Sequence, residues 1–298
     1  MGENIVYSPK LGLVTVLYNT PEVLPDFFKS IVCQNYKNFI LYVIDNSSKP
    51  ESLRLARELA SQYGIETTFI DNQGNNVGVA AGNNQGIKAA LVDGCEYVLI
   101  INNDLLFEAP DVFDKLMQVA INGESLVSPL ILNYPEGKLW YAGGHFDEYR
   151  ALAPHDYAGM DKAAVAKFGE YHAYAPTCFL IVNSDVFKQV GVMDERYFAY
   201  YDDTDFLYRA YIAGYKVKLE QDVVISHKVS VSTGGDLSFF GAYHLTRNRI
   251  YFAKKNLPFP KREISISYTA ITRLGRILLS AGAVRQGFIK GLVDGFKM

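Results

Sequence analysis

The chain has 298 residues, with 29 Lys and Arg against 32 Asp and Glu and a formal net charge of −3. Hydrophobic residues make up 49% and charged residues 20%, close to the globular average, which excludes a disordered, collagenous or coiled-coil chain. The length suits one large domain or two smaller ones with a real core, and so mild a charge gives no reason to expect nucleic acid as a partner.

The first hundred residues alternate in type. Leu11 to Leu17 is an apolar, β-branched run that reads as a strand, and Glu22 to Cys33 has helical spacing, with Leu24, Phe27, Phe28 and Ile31 on one face. Phe39 to Ile44 reads as a second strand, Ser52 to Tyr63 as a helix, Glu66 to Ile70 as a third strand, and Val79 to Val92 as an alanine-rich helix. Tyr97 to Ile101 is apolar throughout, as a buried parallel strand should be. Strands and helices in alternation predict a doubly wound α/β half. After Asp104 the rhythm changes. Asp111 to Ile121 and Asp203 to Ala213 read as helices. Ser125 to Leu132, Thr177 to Val182, Lys216 to Leu219 and Val223 to Ser226 read as strands, and the chain is helical from about Tyr268.

The cysteines, Cys33, Cys95 and Cys178, are odd in number and include no CxxC pair. That argues against a disulfide framework or zinc site and predicts a reducing, cytoplasmic setting. Met1 to Lys10 carries Glu3 and no apolar stretch, so no signal peptide is expected. No apolar run approaches the roughly 20 residues of a membrane span.

Ligands of open α/β sheets bind beyond the carboxyl ends of the strands. All four predicted strand ends carry small hydrogen-bonding residues: Tyr18-Asn19-Thr20-Pro21, Asp45-Asn46-Ser47-Ser48, Asp71-Asn72-Gln73-Gly74-Asn75-Asn76 and Asn102-Asn103-Asp104. Turn formation and helix capping explain one or two of these. They explain Asn102-Asn103-Asp104 poorly, because a carboxylate straight after a buried strand needs a partner. No GxGxxG follows the first strand and no GxxxxGK[ST] occurs anywhere, so a dinucleotide site and a P-loop both lose support. Gly74, Gly78, Gly82 and Gly86 recur every four residues instead; close helix packing suits Gly86, and a phosphate-binding loop is at least as apt near Asn76. A second acidic cluster, Tyr200-Tyr201-Asp202-Asp203-Thr204-Asp205, opens a helix. Its acids read equally well as complements of the helix dipole or as a general base beside a bound hydroxyl. His227 closes the Val-Val-Ile-Ser-His strand, where it is either structural or part of a metal site.

Taken in order and spacing, these segments resemble the family 2 inverting glycosyltransferases, especially the rhamnosyltransferase-like branch of bacterial polysaccharide and O-antigen synthesis. Further matching segments are Trp140-Tyr141-Ala142-Gly143-Gly144, Val190-Gly191-Val192-Met193-Asp194-Glu195, His227-Lys228, Ser232-Thr233-Gly234-Gly235 and Arg247-Asn248-Arg249. The resemblance spans about residues 10 to 255. It implies a GT-A fold, a Rossmann-like nucleotide-diphospho-sugar transferase with a central, mostly parallel mixed sheet flanked by helices. Residues 1–260 are then the catalytic domain, with 10–105 binding the nucleotide sugar and 106–260 the acceptor, and 261–298 are a helical tail.

The resemblance also implies roles. Asp45 would bind the base, Tyr18 and Asn19 would line the nucleotide pocket, and Asn76, Gly78 and Asn83 would support the donor. Asn102-Asn103-Asp104 stands where the family has its DxD-type motif, so Asp104 would carry a divalent cation, Mg²⁺ or Mn²⁺, with Asn102 and Asn103 near the donor and His227 completing the metal site. Asp203 matches the catalytic base and Asp202 precedes it. Trp140, Tyr141 and Asp205 are the expected acceptor contacts, with core packing the competing reading for Tyr141. Arg247 is assigned to the diphosphate. The donor would be a dTDP- or UDP-sugar, and dTDP-rhamnose leads. The acceptor would be a growing glycan, free or lipid-linked. The chemistry would be one-step transfer with inversion. An oxidoreductase or a nucleotidyltransferase predicts a glycine-rich loop after the first strand, and a non-catalytic relative predicts loss of Asp104 or Asp203; the chain shows none of these.

The mild net charge conceals an asymmetry. Leu245 to Met298 holds 11 Lys and Arg against 2 acids, a local +9, while the other 244 residues carry 18 against 30. Arg273, Arg276, Arg285 and Lys290 lie among Leu, Ile, Val and Phe. Two readings stand: a basic amphipathic tail resting peripherally on the inner face of the cell membrane, or a packing or homodimer helix with a solvated basic face.

Overall fold

The computed structural model describes residues 8–228 and 238–298; Ser232-Thr233-Gly234-Gly235 and the first residues of the N-terminus lie outside them. The alternating half is β1 (Leu11–Leu17), α1 (Leu24–Val32), β2 (Phe39–Asp45), α2 (Glu51–Tyr63), β3 (Thr67–Asp71), α3 (Val79–Val92) and β4 (Tyr97–Ile101). A 3₁₀ turn, Pro21–Val23, leads into α1, so the helix expected from Glu22 starts two residues later. The second half holds β5 (Leu105–Leu106), α4 (Val112–Ile121), β6 (Leu126–Asn133), β7 (Leu139–Tyr141), β8 (Tyr171–His172), β9 (Phe179–Asn183), α5 (Ser184–Val190), α6 (Asp202–Ile212) and β10 (Val217–His227). Three helices follow: α7 (Phe239–Asn256), α8 (Lys261–Leu279) and α9 (Gly282–Lys297).

The ten strands among the described residues form one sheet, in the order β3-β2-β1-β4-β9-β6-β10-β5, with β7 on β6 and β8 on β10. The expected mostly parallel, mixed sheet is what forms: β3, β2, β1 and β4 pair in parallel, β9 runs against both β4 and β6, and β10 is parallel to β6. The two short strands expected at Lys216 to Leu219 and Val223 to Ser226 are one strand, β10. Its pairing with β6 shifts register between Glu220 and Val224, a bulge that absorbs the polar Gln221-Asp222 without ending the strand. The four parallel strands are nearly closed to solvent on both faces at β1, β2 and β4, which is why they read as continuous apolar runs.

Helix α3 lies directly on this sheet. A Cβ at Gly86 would stand 2.5 Å from Val14 Cγ1 and 2.7 Å from Ile44 Cδ1, so the close-packing reading of Gly86 is the one the fold uses. Helix α9 repeats the device. Gly287, Gly291 and Gly295 seat it on α7, and a Cβ at Gly291 would stand 2.7 Å from the Tyr243 carbonyl oxygen and 2.8 Å from Thr246 Cβ. Helix α7 was not anticipated, and the helix expected from about Tyr268 starts at Lys261, just after Pro260.

The α9 contact makes a direct prediction. Gly291→Ala gains about 1 kcal/mol of helix propensity, but its methyl group meets backbone that cannot yield, which typically costs about 1–3 kcal/mol. Urea unfolding should show net destabilisation; unchanged or raised stability would mean that α9 is not seated this way.

Candidate functional site

A cavity of about 420 Å³ opens beyond the carboxyl ends of β1, β2 and β4. Tyr18, Asn46, Asn76, Gly78, Asn83 and the Asn102-Asn103-Asp104 run all line it. The short polar side chains there bond largely to one another and to backbone. Asn103 Nδ2 donates to the Val16 carbonyl at 2.9 Å, Asn46 Nδ2 to the Gly78 carbonyl at 3.0 Å, and the Asn76 carboxamide oxygen accepts the Gly78 amide at 2.9 Å. Gly78 has φ of +90° and a Cβ there would stand 2.6 Å from the Phe198 carbonyl oxygen, so only glycine lets α3 begin where it does. Phe198 and Phe240 close the opposite wall. Neither was singled out from the sequence, where single phenylalanines look like core.

Asp104 meets His227 through strand register. After the three residues that follow β4, the chain re-enters the sheet as β5, antiparallel to β10, with Leu105 opposite His227. Asp104 Oδ1 then stands 3.2 Å from His227 Nε2. Nevertheless, Asp104 Oδ1 and His227 Nδ1 are both buried with no hydrogen-bond partner among the described residues. Asp104 Oδ1, which faces His227 Nε2 without a hydrogen bond, and that ring nitrogen are together donors suited to a divalent cation with further oxygen ligands. No group of three or more His, Cys, Asp or Glu suited to a metal occurs among the described residues, so the remaining ligands of such a cation would come from a substrate or water. The residues fit Mg²⁺ or Mn²⁺.

A second cavity, about 390 Å³, adjoins the first and shares Val79, Asn102 and Ala199 with it. Trp140, Tyr174, His227 and Asp202-Asp203 line it. The Trp140 ring stands edge-on to His227 at 4.6 Å and to His155 at 4.7 Å. Helix α6 begins here, and its rotation separates the three acids. Asp202 and Asp205 are buried, while Asp203 keeps access to the cavity. Asp203 Oδ2 accepts the Tyr174 hydroxyl at 2.6 Å, and Oδ1 accepts the Thr204 amide at 2.6 Å. Burial, then the neighbouring Asp203 charge, pushes Asp202 far above the usual carboxylate range. Burial lowers His155, whose Nδ1 lies 2.8 Å from the Trp140 carbonyl and so carries the proton. Burial and the charges of both Asp104 and Asp203 push the Cys178 thiol up, which places both carboxylates around it.

The turn before α6 is held from α7. Tyr200 and Tyr201 have φ of +63° and +69°, an expensive conformation for a bulky residue. Asn248 Nδ2 donates to the carbonyls of Ala199 and Tyr200 at 2.7 and 2.8 Å, and the Tyr201 hydroxyl donates to the Ala151 carbonyl at 2.8 Å. Arg247 Nε donates to the Asn248 carboxamide oxygen, and another of its nitrogens to the Arg196 carbonyl, both at 2.8 Å. Arg249 is buried and bonds the Arg150 carbonyl.

Five sequence expectations meet different surroundings. Arg247 lines neither cavity; its donors go to Asn248 and Arg196 instead of a diphosphate. Asp205 is 0% exposed, engaged by Arg209, Lys255 and Asn256, so an acceptor cannot reach it. Tyr141 is fully buried with its hydroxyl donated to the Tyr174 carbonyl, the core-packing reading. Asp45 is 4% exposed and borders neither cavity; its Oδ1 accepts the Ser47 amide, and burial raises its pKa. Asn19 clamps the loop after β2 through Ser47, Ser48 and Lys49.

A family model described as Glycosyl transferase family 2 matches residues 13–191. The chain is 29% identical over 275 residues to the low-salt glycan biosynthesis hexosyltransferase Agl10 of Haloferax volcanii, over 89% of this chain and 81% of that protein. It is 24% identical over 303 residues to the O-antigen biosynthesis protein RfbC of Myxococcus xanthus, over 93% of this chain but only 23% of RfbC. Among solved structures, the mannosyltransferase PcManGT of Pyrobaculum calidifontis, in complex with GDP-Man and Mn²⁺, aligns at TM-score 0.59 and 15% identity over 98% of this chain and 87% of its own. S. aureus TarS 1-349 in complex with UDP-GlcNAc aligns at TM-score 0.63 and 13% identity over 97% and 81%.

The turn before α6 is testable by itself. Asn248→Ala leaves two buried carbonyls unpaired, and the lost bonds should lower stability by about 1–3 kcal/mol in urea unfolding. Unchanged stability would mean that the strained turn holds itself.

Proposed function

Because the chain belongs to glycosyl transferase family 2 and has the GT-A fold, we propose that it transfers a sugar from a dTDP- or UDP-linked donor, dTDP-rhamnose first among them, to a hydroxyl of a growing glycan or lipid-linked acceptor. It is a nucleotide-sugar glycosyltransferase of glycan biosynthesis. The observation that carries this proposal is the pair of adjoining cavities, with Asp104 and His227 at their junction and Asp203 on the second.

The donor occupies the first cavity, with its nucleotide along Tyr18 and the Asn76-Gly78 loop, and Asn83, Asn102 and Asn103 beside the diphosphate and sugar. Asp104 and His227 would hold a divalent cation. When bound, that cation offsets the negative charge that builds on the departing nucleoside diphosphate. PcManGT and GalNAc-T7 were each solved with Mn²⁺ and a nucleotide, which supports a cation at this place. A base contact for Asp45 requires the loop after β2 to open.

The acceptor lies in the second cavity, its sugar face against Trp140. Asp203 takes the proton from the attacking hydroxyl, which reaches the anomeric carbon from the face opposite the leaving group and inverts it. Tyr174 and Thr204 fix the Asp203 carboxylate in the rotamer that faces the acceptor. Asp202 is held protonated and supports the turn.

Asp203→Asn should lower turnover by roughly two to four orders of magnitude while titration calorimetry still detects nucleotide binding; near-normal turnover would move the base elsewhere. Asp202→Asn should keep turnover within about tenfold of the parent. Because the folded pKa of Asp202 is raised, its contribution to the parent's stability is fully present below the unfolded carboxylate pKa and is lost as pH rises through the folded one. The Asn variant should lack that fall, and thermal melts across pH read it.

Metal chelation should abolish turnover and added Mn²⁺ should restore it. His227→Ala should weaken the Mn²⁺-dependent part of UDP or dTDP binding and spare the rest. Turnover that persists in chelator would remove the cation from the reading. A hydrolysis screen of dTDP-rhamnose against UDP-sugars identifies the donor.

A further inference from the structure

Helix α8 is turned inside out. The side packed on the protein carries the half-buried Ile266 beside Ser265 and Thr269, both buried, and Arg273, whose Nε donates to Thr246 Oγ1 at 3.0 Å. The outward side carries Ile264, Ile271, Leu274 and Leu278, spaced seven, three and four residues apart and therefore on one face. Ile271, Leu278 and the adjacent Leu279 are 69%, 80% and 89% exposed. A helix that served only to pack on α7 would show the opposite pattern.

Beside the stripe a groove of about 380 Å³ is lined by Arg249, Arg273, Arg276, Tyr268, Thr272 and Leu279 among others, with no carboxylate. Arg150 reaches the same place, its Nε donating to the Tyr268 hydroxyl at 3.2 Å. Residues 261–298 carry seven Lys and Arg against two acids. Both acids are already paired, Glu263 with Arg262 and Asp294 with Lys290. No helix is long and apolar enough to cross a membrane among the described residues.

We infer that the outward stripe of α8 seats the protein on an anionic lipid surface, with the arginine groove between α7 and α8 taking the lipid phosphates. Apolar side chains enter the acyl boundary while cations beside them meet the headgroups, the arrangement that holds a helix in the interface plane. Charge decides against a second copy on this face, because two such surfaces would bring together two grooves that are each lined by arginines and by no carboxylate among the described residues. The surface adjoins the acceptor cavity: Leu245, which lines that cavity, lies one helical turn before Arg249 on α7. This step alone rests on the transferase reading, and it gives a lipid-borne acceptor a short path to Asp203.

The test uses the full chain and vesicles of phosphatidylcholine with and without phosphatidylglycerol, read by co-sedimentation. The parent should bind only the anionic vesicles, and less as salt rises. Arg276→Glu should weaken binding about thirtyfold, and Ile271→Ser with Leu278→Ser on the order of a hundredfold. All three sites are solvent-exposed, and circular dichroism confirms that the variants fold. Equal sedimentation of parent and variants would overturn the inference. So would a parent that is dimeric by light scattering and indifferent to vesicles, while the Ile271→Ser, Leu278→Ser variant is monomeric. Nucleotide binding measured on the same samples should be unchanged, so a failed vesicle result leaves the transferase reading standing, and the reverse.

Discussion

The amide of Asn248 is the contact on which the arrangement of the site depends. Two consecutive tyrosines, 200 and 201, sit in left-handed backbone, and helix α6 can start at Asp202 only because they do. One carboxamide on α7 bonds the carbonyls of 199 and 200 together, and Arg247 fixes that carboxamide in turn. Without the clamp the segment has better conformations available, and the three acids would lose the rotation that buries two and presents one. Strain at the turn is thus sustained by a helix over forty residues away in sequence, a common arrangement where a site must be preorganised.

Much of the fold was legible because its cause is local. Continuous apolar runs announce strands buried on both faces, and small polar residues at their carboxyl ends mark the mouth of the sheet. The first cavity is therefore built largely from the segments singled out in the sequence. Where the cause is not local, reading stops. Helix α7 has no clear apolar stripe, because its buried positions include His244, Thr246, Asn248 and Arg249. Polar residues that serve as internal struts look, in a sequence, like a surface. The resemblance assigns Arg247 to a diphosphate, and its donors go to Asn248 and Arg196 instead. Asp205 shows the same limit from the acidic side: nothing in Asp-Asp-Thr-Asp tells which carboxylate is met by Lys255 and Arg209.

The meeting of Asp104 and His227 depends on pairing between distant strands. Each residue drew notice separately, one as a costly carboxylate after a strand and the other as a histidine at a strand end. Their 3.2 Å approach follows from the antiparallel β5–β10 pairing, and β5 is only two residues long, below what any periodicity can reveal. The second cavity owes its shape to similar accidents of distance: the irregular stretch between β7 and β9 contributes Tyr174 to its lining and His155 as the support of Trp140.

The glycine seam between α9 and α7 has a consequence for how the chain can be cut. Backbone lies on backbone there, at Phe239, Tyr243 and Arg247, and Arg247 is the residue that steadies Asn248. The last helix is therefore a buttress to the reaction centre and cannot be treated as a removable appendage. A shortened chain that ended before Gly282 would bare the back of α7 along those three positions. Any loss of turnover it suffered would report a loosened catalytic turn as readily as a lost surface, so the helices beyond α7 are better interrogated by single side chains than by deletion.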